Sequence, residues 1–205
     1  MKILIKGYES TLEASYQQNI KNKTSSILCL LTRFNKQESE NFNQRLQASL
    51  QSLNSNTLTL WIGPDAAQSI KLCELNLQLL LNWLVAASTS KIRWVIGASF
   101  AALLAVRIII RRPEITNYIL VTPVITDNNL VEIKLLTRLK TKGMIIIAER
   151  DTVSPISKVW QLMLFTNTLN ACMSELVIVK RANHFFSNKL KIVSSLIKSF
   201  YLKSG

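Results

Sequence analysis

Residues 94–113 read WVIGASFAALLAVRIIIRRP, and the fold turns on how they are parsed. Ile92, Trp94, Val95 and Ile96 form a short apolar run, too brief for a helix, and Gly97-Ala98 interrupts it. From Phe100 the residues Ala101, Ala102, Leu103, Leu104, Ala105 and Val106 favour or tolerate a helix, which continues to Arg111-Arg112 and a stop at Pro113. The stretch reads as a buried strand, a sharp turn carrying Ser99, and a helix that starts at once. A serine on such a turn projects its hydroxyl from the sheet edge, and the Phe100 N–H faces the same space. That is the geometry a nucleophilic serine needs. A turn this tight requires small residues two before and two after the serine, and Gly97 and Ala101 supply them as G-x-S-x-A.

The chain on either side of this unit alternates between short apolar runs and amphipathic stretches. Lys2 to Lys6 and Leu12 to Tyr16 read as a hairpin turning at Gly7-Tyr8-Glu9-Ser10. Strands follow at Ile27 to Leu31, Thr57 to Ile62, Asn117 to Thr122, Met144 to Ala148 and Glu175 to Val179. Helices are predicted at Ser39 to Leu53, Ala66 to Ala87, Leu130 to Leu139 (ended by Gly143), Ile156 to Leu169 and Lys189 to Leu202. The long second helix is expected to bury Leu72, Leu75, Leu79, Leu80 and Trp83, and the last one Leu190, Val193, Leu196, Ile197 and Phe200. From Ile27 onward the strands are continuous apolar runs, which indicates strands buried on both faces. The fold class is therefore α/β: a mostly parallel sheet of about eight strands flanked by helices on both faces.

Composition bounds the function. The 205 residues are 48% hydrophobic, which suits one domain over 1–205 with a substantial core and excludes a disordered chain. Lys+Arg number 25 against 12 Asp+Glu, a formal charge of +13. Such a charge suits an anionic partner, but there is no long basic run, and Arg111-Arg112 and Lys180-Arg181 are the densest pairs. Aromatic and basic residues do not interleave as in stacking platforms, so a nucleic-acid partner is not expected. Three cysteines, Cys29, Cys73 and Cys172, are scattered without a CxxC and read as core thiols of a reducing compartment. No signal peptide and no membrane span are read, so the expected location is the cytoplasm. One histidine and dispersed cysteines give no metal-ligand cluster, and no cofactor is expected.

In a parallel sheet, functional groups gather on loops at the C-terminal ends of strands. Ser99, Asp151 and His184 each follow a predicted strand, in the order Ser, Asp, His, and His184 is the only histidine. The chemistry assigns their roles. Serine is a weak nucleophile and needs an imidazole to take its proton, while a carboxylate holds that imidazole in the right tautomer. Taken singly, each has a structural explanation: a common small-residue turn, an N-cap at Asp151 before Pro155, a capped or surface histidine. Their joint order and placement are what point to catalysis.

These segments resemble the α/β-hydrolase superfamily, in its compact lidless bacterial form. Gly97-Ala98-Ser99-Phe100-Ala101-Ala102 matches the serine elbow, and Arg111-Arg112-Pro113-Glu114-Ile115 an R-R-P-E-I run after it. Where the acid segment typically reads G-D-x-D-x-V-x-P this chain has Ala148-Glu149-Arg150-Asp151-Thr152-Val153-Ser154-Pro155, and where the histidine segment reads G-A-x-H-F-F it has Arg181-Ala182-Asn183-His184-Phe185-Phe186. The resemblance implies an α/β-hydrolase fold without a lid domain, Ser99 as nucleophile, His184 as base and Asp151 as orienting acid. It implies hydrolysis of a carboxylic ester or thioester of a small-molecule substrate.

Two departures bear on turnover. Relatives carry an H-P-H-P loop and two glycines after the third strand, whose backbone helps to bind the oxyanion. Here the text is Leu31-Thr32-Arg33-Phe34, and no glycine occurs between Gly7 and Gly63. Likewise an F-N-F-R-G stretch after the fourth strand is replaced by Trp61-Ile62-Gly63-Pro64. The Phe100 N–H is the oxyanion donor expected from the elbow, and the second falls to the backbone of Arg33 or Thr32. Loss of one such donor costs about 10²–10³ in rate. Three functions compete: a serine hydrolase with a shallow site, a fold-retaining binding protein with little turnover, and an anion-binding module. Reactivity of Ser99 separates the first two, and salt dependence of binding tests the third.

Overall fold

The computed structural model describes residues 2–6, 11–18, 25–32, 37–53, 55–62, 70–87, 91–126, 132, 135–136, 141–160 and 174–204. In chain order the elements are β1 (Lys2–Lys6), β2 (Thr11–Gln17), β3 (Ser25–Thr32), α1 (Gln37–Gln51), β4 (Asn56–Ile62) and α2 (Ile70–Ala87). There follow β5 (Lys91–Ala98), α3 (Phe100–Arg111), β6 (Asn117–Val121), β7 (Lys142–Ala148), β8 (Ser174–Val179) and α4 (Leu190–Ser204). The expected Gly7-to-Ser10 turn, the start of the second helix, most of the helix at Leu130 to Leu139 and the end of that at Ile156 to Leu169 lie outside the described residues, as does Cys172.

Eight strands form one sheet in the order β1-β2-β4-β3-β5-β6-β7-β8. The β1–β2 and β2–β4 pairs are antiparallel, and every pair from β4 to β8 is parallel. The alternation of side chains across a strand divides the apolar runs between two cores. Leu28, Leu30, Val95, Leu120 and Ile147 meet α2 and α3 on one face. Ile27, Cys29, Leu31, Trp94, Ile96 and Ile146 meet α1 and α4 on the other. Trp94 anchors α4, its ring centroid 5.9 Å from that of Phe200 and 4.9 Å from that of Tyr201. Cys29 and Cys73 are buried as expected, and burial pushes both thiols up from their ordinary range. No lid domain stands among the described residues.

The helix α3 crosses β5 closely because Gly97 has no side chain. A Cβ there would lie 2.7 Å from Ala102 Cα and 2.7 Å from Ala105 Cβ. Small residues on both elements thus set the distance from which the turn at Ser99 springs.

Two expectations are corrected. The inward face of α2 is Cys73, Leu77, Leu80 and Leu81, with Leu75 38% exposed and Leu72, Leu79 and Trp83 half-buried. So many sides of this helix are apolar that its periodicity does not single out one face, and packing against α3 decides. Gly143 does not end a helix: it lies within β7, paired with Tyr118. A Cβ at Gly143 would sit 2.0 Å from Tyr118 Cζ. Glycine makes room for that ring, whose hydroxyl reaches across β7 to Ser174.

Candidate active site

Ser99 occupies the single position between β5 and α3, with φ 55° and ψ −127°. This left-handed backbone is strained for any residue with a Cβ. The sheet holds it there, since the Ser99 N–H donates to Val121 O at 2.9 Å and Thr122 N–H to Ile146 O at 2.8 Å. Ser99 Oγ lies 2.8 Å from His184 Nε2. His184 Nδ1 in turn lies 2.8 Å from Asp151 Oδ2. A carboxylate only accepts, so Nδ1 carries the hydrogen and Nε2 presents its lone pair to the serine hydroxyl. All three residues are buried.

The loops that hold the acid and the histidine are bound to each other. Glu149 N–H donates to Val179 O at 3.1 Å and Arg150 N–H to Ala182 O at 2.9 Å. The Glu149 carboxylate accepts from Arg181 N–H at 2.7 Å, where Arg181 turns with φ 58°. Asn183 Oδ1 accepts from Ser187 N–H at 2.9 Å, which closes the turn around His184. Asp151 divides its two oxygens. Oδ1 accepts from the N–H groups of Val153 at 2.8 Å and Ser154 at 2.9 Å, while Oδ2 faces His184. Asp151 Oδ1 thus closes the turn at Val153 and Ser154 and does not cap the helix that begins at Ile156, while Oδ2 is left to face His184.

Thr32, Ser39, Phe42, Asn43, Ala98, Thr122 and Phe185 line a shallow recess around Ser99 and His184. At its edge the Thr32 hydroxyl donates to Ala98 O at 3.1 Å and accepts from Ala101 N–H at 2.9 Å. Asn43 Nδ2 donates to Thr32 O at 2.9 Å. The Ala102 N–H is taken by Ser99 O at 3.1 Å. That leaves the Phe100 N–H as the first-turn donor without an acceptor among the described residues. Arg33 lies outside the described residues. The sequence marked Thr32 only as a candidate backbone donor to the oxyanion, and gave no signal for its side chain or for those of Asn43, Glu149 and Asn183. No group of metal-ligating side chains occurs among the described residues, and no helix among them is long and apolar enough to cross a membrane.

The strand order, the serine at the β5–α3 turn, and acid and histidine after β7 and β8 define the α/β-hydrolase fold. The whole chain superposes on solved structures of that fold. One is a protein of unknown function from Agrobacterium tumefaciens, at 20% identity over 98% of this chain and 94% of that one, with a TM-score of 0.79. An esterase from Pyrococcus furiosus matches at 17% identity over 100% and 91% of the two chains, with a TM-score of 0.77. A protein from Xanthomonas campestris, described as an α/β serine hydrolase without a lid, matches at 14% identity over 100% and 94%, with a TM-score of 0.73. No family model and no curated protein sequence matches the chain. At these identities the likeness is one of fold, and the function must be argued from the site.

Proposed function

We propose that the protein is a serine hydrolase that cleaves a carboxylic ester or thioester of a small substrate by acyl transfer. The reading rests on one observation above the rest: the unbroken relay from Ser99 Oγ through His184 to Asp151, with both contacts at 2.8 Å. In this mechanism Ser99 Oγ attacks the acyl carbonyl while His184 Nε2 takes its proton. The Phe100 N–H stabilises the charge that develops on the carbonyl oxygen. Collapse expels the alcohol or thiol, which leaves with the proton from Nε2. Water then attacks the acyl-enzyme, His184 takes a proton from it, and the acid is released as Ser99 recovers its hydrogen. Asp151 holds the imidazole and stabilises its protonated form without itself taking the proton.

The test is labelling by a fluorophosphonate, located by mass spectrometry, on the wild type and on Ser99→Ala and His184→Ala. Label on Ser99 that disappears in both variants supports the reading. A folded protein that takes no label overturns it and leaves the second reading, a binding protein that has kept the fold. The replaced H-P-H-P loop, with no glycine between Gly7 and Gly63, is the observation that favours that alternative.

A further inference from the structure

The serine at the start of α3 stands in two roles that conflict. A serine at the N-cap of a helix ordinarily turns its hydroxyl onto a first-turn N–H. Ser99 occupies that position, yet its side chain makes no capping hydrogen bond, because its Oγ is engaged with His184. The Ala101 N–H therefore lacks the acceptor that local geometry offers. It is satisfied instead from a neighbouring strand, by Thr32 Oγ1 at 2.9 Å. The same hydroxyl donates its hydrogen to Ala98 O at 3.1 Å. One side chain thus ties together the residue before Ser99 and the residue two after it, and both bonds are buried.

We infer that Thr32 is a positioning residue, which keeps the Ser99 hydroxyl on His184 by capping α3 in its place. The physical argument is a competition for one acceptor. Remove the Thr32 hydroxyl, and the Ala101 N–H is a buried donor with no partner. An unsatisfied buried donor is costly, and the acceptor that an N-cap serine ordinarily offers it is Ser99 Oγ, two residues back in the chain. A serine drawn onto its own helix is lost to the histidine. Asn43 secures the clamp from the other side by its bond to Thr32 O. The seat of α1 over the recess is thereby coupled to the geometry of the turn. This inference rests on the reading of Ser99 as the nucleophile.

The experiment compares Thr32→Val, close in shape but without the hydroxyl, with Thr32→Ser, which keeps it. Thr32→Ala repeats the comparison if the valine variant is unstable. Two readouts are taken on the intact chain. The first is the rate of fluorophosphonate labelling at Ser99, with kcat and KM for 4-nitrophenyl acetate. The second is the 15N resonance of Nε2 in the single histidine, His184, which reports directly on its bond to Ser99. The hydroxyl-less variants are expected to fold, to lose about tenfold to hundredfold in labelling rate and kcat at nearly unchanged KM, and to shift the Nε2 resonance. Thr32→Ser restores all three. A folded Thr32→Val that labels at the wild-type rate with an unmoved Nε2 resonance overturns the inference. A wild type that takes no label sinks the hydrolase reading, and the Nε2 resonance then decides the role of Thr32 by itself.

Discussion

Ser99 Oγ and His184 Nε2 lie 2.8 Å apart although 85 positions separate the two residues in the chain. The contact is held at the expense of the serine backbone, whose φ of 55° is a conformation that suits glycine. Strain and chemistry are thus located in one residue, and substitutions can separate them. Ser99→Ala and Ser99→Gly are both expected to lose at least about 10⁴-fold in ester hydrolysis. They differ in stability. Alanine keeps the strained Cβ, whereas glycine relieves it, and Ser99→Gly is expected to exceed Ser99→Ala by about 1 kcal/mol. Urea unfolding of the two variants measures the difference. Equal midpoints would mean that the turn is unstrained.

Asp151 serves the turn with one oxygen and the histidine with the other. Asp151→Asn preserves the first function, because the amide oxygen still accepts from Val153 and Ser154. It inverts the second, because an amide NH₂ facing Nδ1 stabilises the tautomer with its hydrogen on Nε2. Activity is expected to fall about 10³–10⁴-fold with the unfolding midpoint little changed. Asp151→Ala removes both functions and is expected to lose comparable activity and about 1–2 kcal/mol besides. A stable, active Asp151→Asn variant would falsify the assignment of His184 orientation to this carboxylate.

The strands and the serine turn were legible because their signals are local. Unbroken apolar runs such as Ile27 to Leu31, and the pair Gly97 and Ala101 around Ser99, carry their meaning within a few residues. That Ser99, Asp151 and His184 would come together was legible because His184 has no rival in the chain and each follows a strand. What escaped was decided at a distance. The inward face of α2 depends on where α3 lies, and its many leucines do not reveal that. Gly143 serves the ring of Tyr118, a partner on another strand. The Thr32 clamp joins residues 66 and 69 positions apart, and nothing in the text around Thr32 signals it.

Gly97 is where the helix comes closest to the sheet. A methyl group there would press on Ala102 Cα and Ala105 Cβ, both at 2.7 Å. The first is backbone and the second a short side chain, so neither can swing aside and the helix itself must move. Gly97→Ala is expected to cost about 1–3 kcal/mol and, because α3 begins at the turn, to lower the labelling rate of Ser99 as well. Gly97→Ala combined with Ala105→Gly returns part of the space and is expected to recover part of both. Thermal unfolding and labelling kinetics on the single and double variants check the coupling.

Arg107 joins three parts of the chain. Its guanidinium donates to Glu132 through Nε and Nη2, both at 2.7 Å, and to Glu74 on α2 through Nη1 at 2.6 Å. Arg111 adds a second contact to Glu74 at 3.2 Å, and Arg112 pairs with Glu114 at 2.6 Å. The densest arginine pair of the sequence is thus occupied within the molecule. Partial burial pushes the Glu74 carboxyl up, but the hydrogen bonds and charges of Arg107 and Arg111 outweigh it and hold the group below its ordinary value of 4.5. A depressed carboxylate stabilises the fold fully above its unfolded value, and the contribution disappears as pH falls through the folded one. Arg107→Met keeps the length of the side chain and removes the fork. It is expected to cost about 1 kcal/mol at pH 7, since the pair is part-buried and partly screened by solvent. The gap to the wild type is expected to narrow as the pH is lowered below about 4.5, because protonation of Glu74 removes the same interaction from the wild type. Urea unfolding at pH 7 and pH 3.5 measures both gaps. A gap that stays constant would place the effect of Arg107 in packing, since only the ion pair titrates.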